Sequence, residues 1–183
     1  MEAAHRLIVS TRELLWERGY VGTSPKAIQE RSGVGQGSMY HHFGGKLDLA
    51  LTAIQQTGAE MRVAVAEILN RPGSPRARIT AYLSREREVL RGCPIGRLTY
   101  DPEILAEDTL RRPVGDILDW VRTRLTEVFA EGQAAGEFEA DLDPAETAAT
   151  LLATLQGGYV LARAANSTEP YDKAIAGALR LLG

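Results

Sequence analysis

Turn and cap residues constrain this chain most tightly. Between residues 24 and 46, SPKAIQERSGVGQGSMYHHFGGK sets a Ser-Pro pair, a Ser-Gly stop and a Gly-Gly break so close together that each intervening helix must be short. Ser24 supplies a side-chain cap and Pro25 takes the one helical position that tolerates proline, which predicts a helix running to about Ser32. Gly33 stops it. Ile28 and Val34 face inward on either side of the break. A second compact helix, Gln36 to His42, follows, with small polar residues on one side and aromatic or cationic ones at its end.

The rest of the chain repeats apolar residues at helical spacing. A first helix spans about Glu2 to Arg18 through Ala4, Leu7, Ile8, Thr11, Leu14 and Leu15, and Gly19 ends it. Lys46 opens a helix of roughly 24 residues, about 36 Å long, which stops before Pro72 and Gly73. Ile79, Tyr82, Leu83, Val89 and Leu90 predict a helix over Pro75 to Arg91, interrupted by GCPIG at 92 to 96, after which Pro94 to Leu105 is short and irregular. Asp108 to Ala135 is strongly periodic, with Pro113 expected to kink or restart it and Gly136 to stop it. Asp143 caps a helix reaching Ala165, and Tyr171 to Leu182 is the last. No segment alternates apolar and polar residues long enough for a strand, so the chain is expected to be all-α, with about nine helices.

At 183 residues, 44% of them hydrophobic and 25% charged, the chain is long enough for one sizeable core or for two small units sharing one. No apolar run approaches a bilayer's thickness and no secretory leader is read, which predicts a cytoplasmic protein with no membrane partner. A net charge of −3 argues against indiscriminate coating of nucleic acid. The charge is uneven: residues 1 to 50 hold six cations and five acids, a balance of +1, and the remainder carries −4. The single cysteine, Cys93, excludes an internal disulfide. His5, His41 and His42 are the only histidines, and the adjacent pair cannot face one site on a helix. With no ligand cluster and no nucleophile-base-acid set, neither a metal, nor a cofactor, nor an enzyme is expected.

Two short helices across a glycine turn have the layout of a DNA-reading helix-turn-helix. The ordered set Gly19-Tyr20, Thr23, Ile28, Gly33-Val34, Gly37 to Phe43 and Lys46 resembles the DNA-binding segment of the tetracycline-repressor (TetR) family over about residues 5 to 56. GCPIG and AEGQAAGEFEADLDPAE resemble some members further on. The resemblance implies a DNA-binding domain at 1-45 and an effector-binding and dimerisation domain at 46-183, joined by the helix from 46 to about 70. It implies a homodimeric repressor that reads a palindromic double-stranded operator and is released by a small apolar or amphipathic effector. A two-fold dimer must hold its reading helices about 34 to 36 Å apart to enter successive major grooves, so small tilts of a connecting helix would break simultaneous contact.

Gln36 and Ser38 stand where base edges are read, with exposed polar helix residues as the alternative. Gly35 opens that helix and Gly37 permits close backbone approach. Tyr40 and His41 are placed at phosphate or sugar, unless Tyr40 packs beneath the helix and His41 is merely solvated; Phe43 belongs to the core. Lys46 can give its charge and its helix's free N–H groups to one phosphate. Thr23 and Ser24 are expected to be caps that also reach phosphate, with Lys26 beside them. The sequence departs from the family in two places. Gly35-Gln36 replaces a serine and a cation, exchanging a phosphate-seeking charge for an amide that suits adenine. Gln29 stands where a small residue is usual, and its side chain is expected to bend outward.

Tyr82, Cys93, Tyr100, Trp120, Phe129 and Tyr159 are candidates to line an effector cavity, ordinary core packing being the alternative. Leu151, Leu152, Leu155, Ala174, Ala178 and Leu179 offer flat faces for a four-helix bundle with a twin. Two rival readings are a small-molecule-binding or enzymatic domain with a vestigial DNA head, and a thiol sensor acting through Cys93.

Overall fold

The computed structural model describes residues 2–183, and among them every regular element is helical. The helices are α1 (Ala3–Arg18), α2 (Pro25–Ser32), α3 (Gln36–His42), α4 (Lys46–Leu69), α5 (Pro75–Ser84), α6 (Pro102–Ala106), α7 (Asp108–Ala134), α8 (Pro144–Ala165) and α9 (Glu169–Leu181), with a 3-10 turn at Gly96–Tyr100. The expectation of an all-α chain with nine helices is met. None of them is long and apolar enough to cross a membrane.

The chain forms two compact units. The first comprises the residues up to Glu60 together with Pro94–Ile117; the second comprises Met61–Cys93 and Leu118–Gly183. Helices α4 and α7 each begin in the first unit and end in the second.

In the first unit Leu7, Ile8 and Leu14 of α1 meet Ile28 of α2, Val34 in the turn, Met39 of α3 and Leu49 of α4, with Phe43 half-buried beside them. Thr11 sits in this core because its hydroxyl donates to the Leu7 carbonyl at 2.8 Å. Arg12 ties α1 to α4: its Nε donates to the Thr57 hydroxyl at 3.0 Å and its fork grips the Glu60 carboxylate. Gly58 lets α4 and α7 approach closely, since a Cβ there would lie 2.3 Å from the Ile117 Cδ1.

The second unit buries Val65, Leu69, Ile79, Tyr82, Leu83, Leu125, Val128, Phe129, Leu151, Leu155 and Tyr171. Here the helix expected over Pro75 to Arg91 stops at Ser84. The cause is Arg87, whose guanidinium folds back to donate to the carbonyls of Leu83 (2.8 Å), Arg85 (2.9 Å) and Tyr82, satisfying the acceptors that end a helix. Tyr82 and Leu83 precede Val89 and Leu90 by seven residues, two helical turns, so the spacing imitated a continuation that the backbone does not make. Pro113 does not restart α7, which runs without interruption from Asp108 to Ala134.

Candidate nucleic-acid interface

The reading head is assembled locally. The Ser24 hydroxyl accepts the Ala27 N–H at 3.1 Å and Pro25 fills the first helical position of α2. Gly33 leaves the helix at φ 64 and ψ 26, a left-handed conformation that glycine adopts without strain. Ser32 braces this turn, its hydroxyl donating to the Gln29 carbonyl at 3.3 Å and accepting the Val34 N–H at 3.2 Å. Arg31 pairs with Glu17 of α1 at 2.6 and 2.8 Å, and that hydrogen-bonded carboxylate raises the Arg31 pKa.

Helix α3 is anchored by one fully buried side chain, Met39. Gln36, Gly37, Tyr40 and His41 are exposed together on the other side, with Tyr40 51% exposed, and Ser38 is half-buried. Gly35 supplies no side-chain cap, and neither Gly35 nor Gly37 has a heavy atom within 4 Å of a would-be Cβ, so both present open backbone. The Tyr40 side chain does not pack beneath the helix. Gln29 does not bend outward: its amide turns onto the Met39 sulfur at 3.7 Å, where a polarisable thioether accommodates it between α2 and α3.

Thr23 is not a cap. It is 1% exposed, and its hydroxyl donates to the Gly19 carbonyl at 2.6 Å, so only Ser24 and the exposed Lys26, 3.8 Å from Glu30, face outward there. Lys46 is neither idle nor free. Its ammonium lies 3.8 Å above the Tyr20 ring centroid and 3.8 Å from the Glu103 carboxylate. Burial, with the carboxylates of Glu103, Glu107 and Asp101, raises the Tyr20 pKa and keeps its hydroxyl protonated.

The segment around Asp101 is the part that sequence reasoning missed. One oxygen of this buried carboxylate accepts the Val21 N–H at 2.9 Å, and the other accepts the Glu103 N–H at 3.1 Å and the Ile104 N–H at 3.4 Å. Asp101 therefore caps α6 and fixes the loop between α1 and α2. Its Asp-Pro signature matches that of Asp143-Pro144, which caps α8.

Among the proposed effector residues, Tyr82, Cys93 and Tyr159 lie in one neighbourhood, where Cys93 bears electrostatically on both tyrosines and Tyr171 packs on Tyr159 with ring centroids 5.0 Å apart. Phe129 instead packs against Phe138 with ring centroids 5.1 Å apart and planes tilted by 55°, Trp120 is half-buried, and Tyr100, in the first unit, is 74% exposed. Of the residues proposed for a dimer face, Leu151 and Leu155 are buried within their own chain, because they are the residues that α8 turns inward. Leu152, Ala174, Ala178 and Leu179 are half-buried. The exposed stripe of α8 is Ala149, Ala153, Gly157, Val160, Leu161 and Ala164. Among the described residues no group of three or more His, Cys, Asp or Glu is placed to hold a metal.

Residues 7–53 match the bacterial regulatory proteins of the tetR family, and residues 75–178 match the tetracyclin repressor-like C-terminal domain. The transcriptional regulator AcuR of Cereibacter sphaeroides is 32% identical over 149 residues, covering 77% of this chain and 68% of AcuR. The HTH-type transcriptional repressor DhaR of Mycobacterium sp. strain GP1 is 27% identical over 171 residues, covering 91% of this chain and 85% of DhaR. A solved structure of a cysteine mutant of the TetR family transcriptional regulator CifR, complexed with 26 bp of double-strand operator DNA, has the same fold, with a TM-score of 0.83 at 23% identity over 98% of this chain and 96% of that one. These relatives are regulators rather than enzymes, and with a helix-turn-helix whose reading face is open, the chain belongs to the TetR family of DNA-binding transcriptional regulators.

Proposed function

We propose that this chain is a cytoplasmic repressor that binds a palindromic operator as a homodimer and leaves it when a small apolar or amphipathic effector binds residues 46 to 183. The observation that carries the reading is α3, held from behind by Met39 alone while Gln36, Gly37, Tyr40 and His41 stay exposed. Gln36 reads a base edge, Gly35 and Gly37 admit close backbone approach, and Ser38, Tyr40 and His41 approach the backbone of the DNA. Ser24, Lys26 and Lys46 position the head on phosphates, with Thr23 acting through the loop that it holds rather than by its side chain. The family resemblance supports dimerisation, and the exposed apolar stripe of α8 supplies a surface for it. The unbroken course of α4 from Lys46 to Leu69 supports a route by which an effector alters the reading head.

The test is a gel shift with the DNA upstream of the protein's own gene, at two salt concentrations, alongside light scattering of the free protein. A sequence-selective, salt-sensitive shift by a dimer is expected. A monomer at micromolar concentration, or a shift indifferent to sequence, would overturn the reading.

A further inference from the structure

The second unit contains a donor-rich cluster with no acid to match it. The guanidinium groups of Arg85 and Arg87 lie 5.5 and 5.3 Å from the Tyr82 ring centroid. Arg87 also bears on Tyr159 and Tyr171, whose rings pack together. Neither arginine has a carboxylate partner among the described residues. Arg85 shows only its contact with Tyr82, and Arg87 only that contact and the three carbonyls at the end of α5. Two cations over one buried ring, without a counter-charge, repel each other and lose hydration, and folded proteins ordinarily pair such groups.

The polar atoms left over are of one kind. The Nε of Arg85 and the Nε of Arg87 are buried with no hydrogen-bond partner, and the buried hydroxyl of Tyr171, a residue 5% exposed, has only the Tyr159 hydroxyl beside it. Burial pushes the Tyr82, Tyr159 and Tyr171 pKa values up, so all three hydroxyls stay protonated, and the Tyr159 hydroxyl donates to that of Tyr171, whose own hydrogen is left to donate. The nearest acids do not answer this need. Asp172 has only a minor influence on Tyr171, and Glu88 pairs with Arg91 at 3.5 Å. The segment after Arg87 also borders an open groove of about 470 Å³, lined by Glu88, Val89, Leu90, Arg91 and Thr168, the residue that precedes α9.

We infer that the cluster of Arg85, Arg87, Tyr82, Tyr159 and Tyr171 binds the carboxylate of a small organic acid, whose apolar body lies against the tyrosine rings. An ionised carboxylate accepts hydrogen bonds and donates none, which complements guanidinium and phenol donors. The inference rests on the effector reading above and narrows its effector to an amphipathic anion.

The test measures binding to the free, full-length protein by titration calorimetry, with benzoate against benzamide, hexanoate against hexanamide, and inorganic phosphate as a second anion. Each carboxylate that binds is expected to do so at least about tenfold more tightly than its amide, the factor that a charge-assisted hydrogen bond confers. Arg85→Gln and Tyr171→Phe should each weaken the carboxylate by about tenfold while leaving the amide unchanged. Arg87 is left intact because it closes α5. If Tyr171→Phe lowers Tm, Arg85→Gln alone decides. Equal binding of acids and amides, no binding of either acid at millimolar concentration, binding of phosphate alone, or indifference to Arg85→Gln would overturn the inference. Operator release is measured separately: carboxylate binding without release would leave this site standing and sink the effector reading, whereas release by neutral compounds alone would do the reverse.

Discussion

At the scale of single residues, the proposed function divides the reading head into side chains that identify DNA and those that only hold it. Replacing Gln36 with Ala should remove a base-edge contact and cost about 1–3 kcal/mol on the preferred operator, with little change on an operator altered at the same base pair. Lys46→Ala should weaken all sequences alike and flatten the slope of affinity against salt by about one unit. Fluorescence anisotropy on matched and mismatched duplexes checks both, and two variants of equal effect on both duplexes would refute the assignment. Gly37→Ala is expected to move stability and affinity in opposite directions. No heavy atom stands within 4 Å of the new Cβ, so Tm should rise by the equivalent of about 0.5–1 kcal/mol, while operator affinity falls because the backbone stands further off. A variant that binds DNA as well as the parent would show that the backbone does not approach there. The cap at Ser24 and the stop at Gly33 were legible in the sequence because each acts on atoms within a few residues of itself. Asp101 was not, because its decisive partner, the Val21 N–H, is 80 residues away. Gln29 was misread for a related reason: the Met39 sulfur that receives its amide lies on the next helix.

At the scale of elements, apolar periodicity located six of the helices and misjudged the end of one, while caps and glycine turns located α2 and α3 and neither signal found α6. Periodicity located its helices because a buried stripe must recur with the helical turn whatever it packs against. It overran α5 because Val89 and Leu90 keep that period from Tyr82 and Leu83, while the hydrogen bonds that end the helix come from the long side chain of Arg87. The pairing of α1 with α4 makes a pH-dependent prediction. The hydrogen bond from Arg12, reinforced by its charge and opposed by slight burial, holds the Glu60 pKa below the ordinary carboxylate range. A depressed acid contributes stability above its unfolded pKa and loses that contribution as pH falls through its folded value. Glu60→Gln should therefore lower Tm at pH 7, by no more than the equivalent of about 1 kcal/mol because the carboxylate is largely exposed and screened. The difference from the parent should shrink as pH falls below the ordinary carboxylate range and vanish once it passes the folded value, where both forms are neutral. A gap in the melting curves that persists there would mean that the pair contributes by packing and not by charge.

At the scale of the whole molecule, the question is what covers α8. Its inward residues, Leu151, Leu155, Tyr159 and Ala162, are buried in their own chain. Its outward stripe carries two large apolar side chains, Val160 at 48% and Leu161 at 55% exposed, among small residues that would let a second helix come close. Periodicity could not tell these faces apart, because a helix apolar all round offers two stripes and only the packing of α9 decides which is internal. In a two-fold dimer each substitution appears twice across the interface, so Val160→Glu with Leu161→Glu would bring four carboxylates together. The double variant should run as a monomer in light scattering and keep the Tm of a folded chain. Its operator affinity should fall by about a hundredfold or more, since a lone head loses the gain from simultaneous engagement of two half-sites. Its affinity for a single half-site should stay unchanged, which separates a lost partner from a damaged reading head. A double variant that remains dimeric would place the interface elsewhere, and one that is monomeric with full affinity for the palindrome would show that this regulator reads its operator one head at a time.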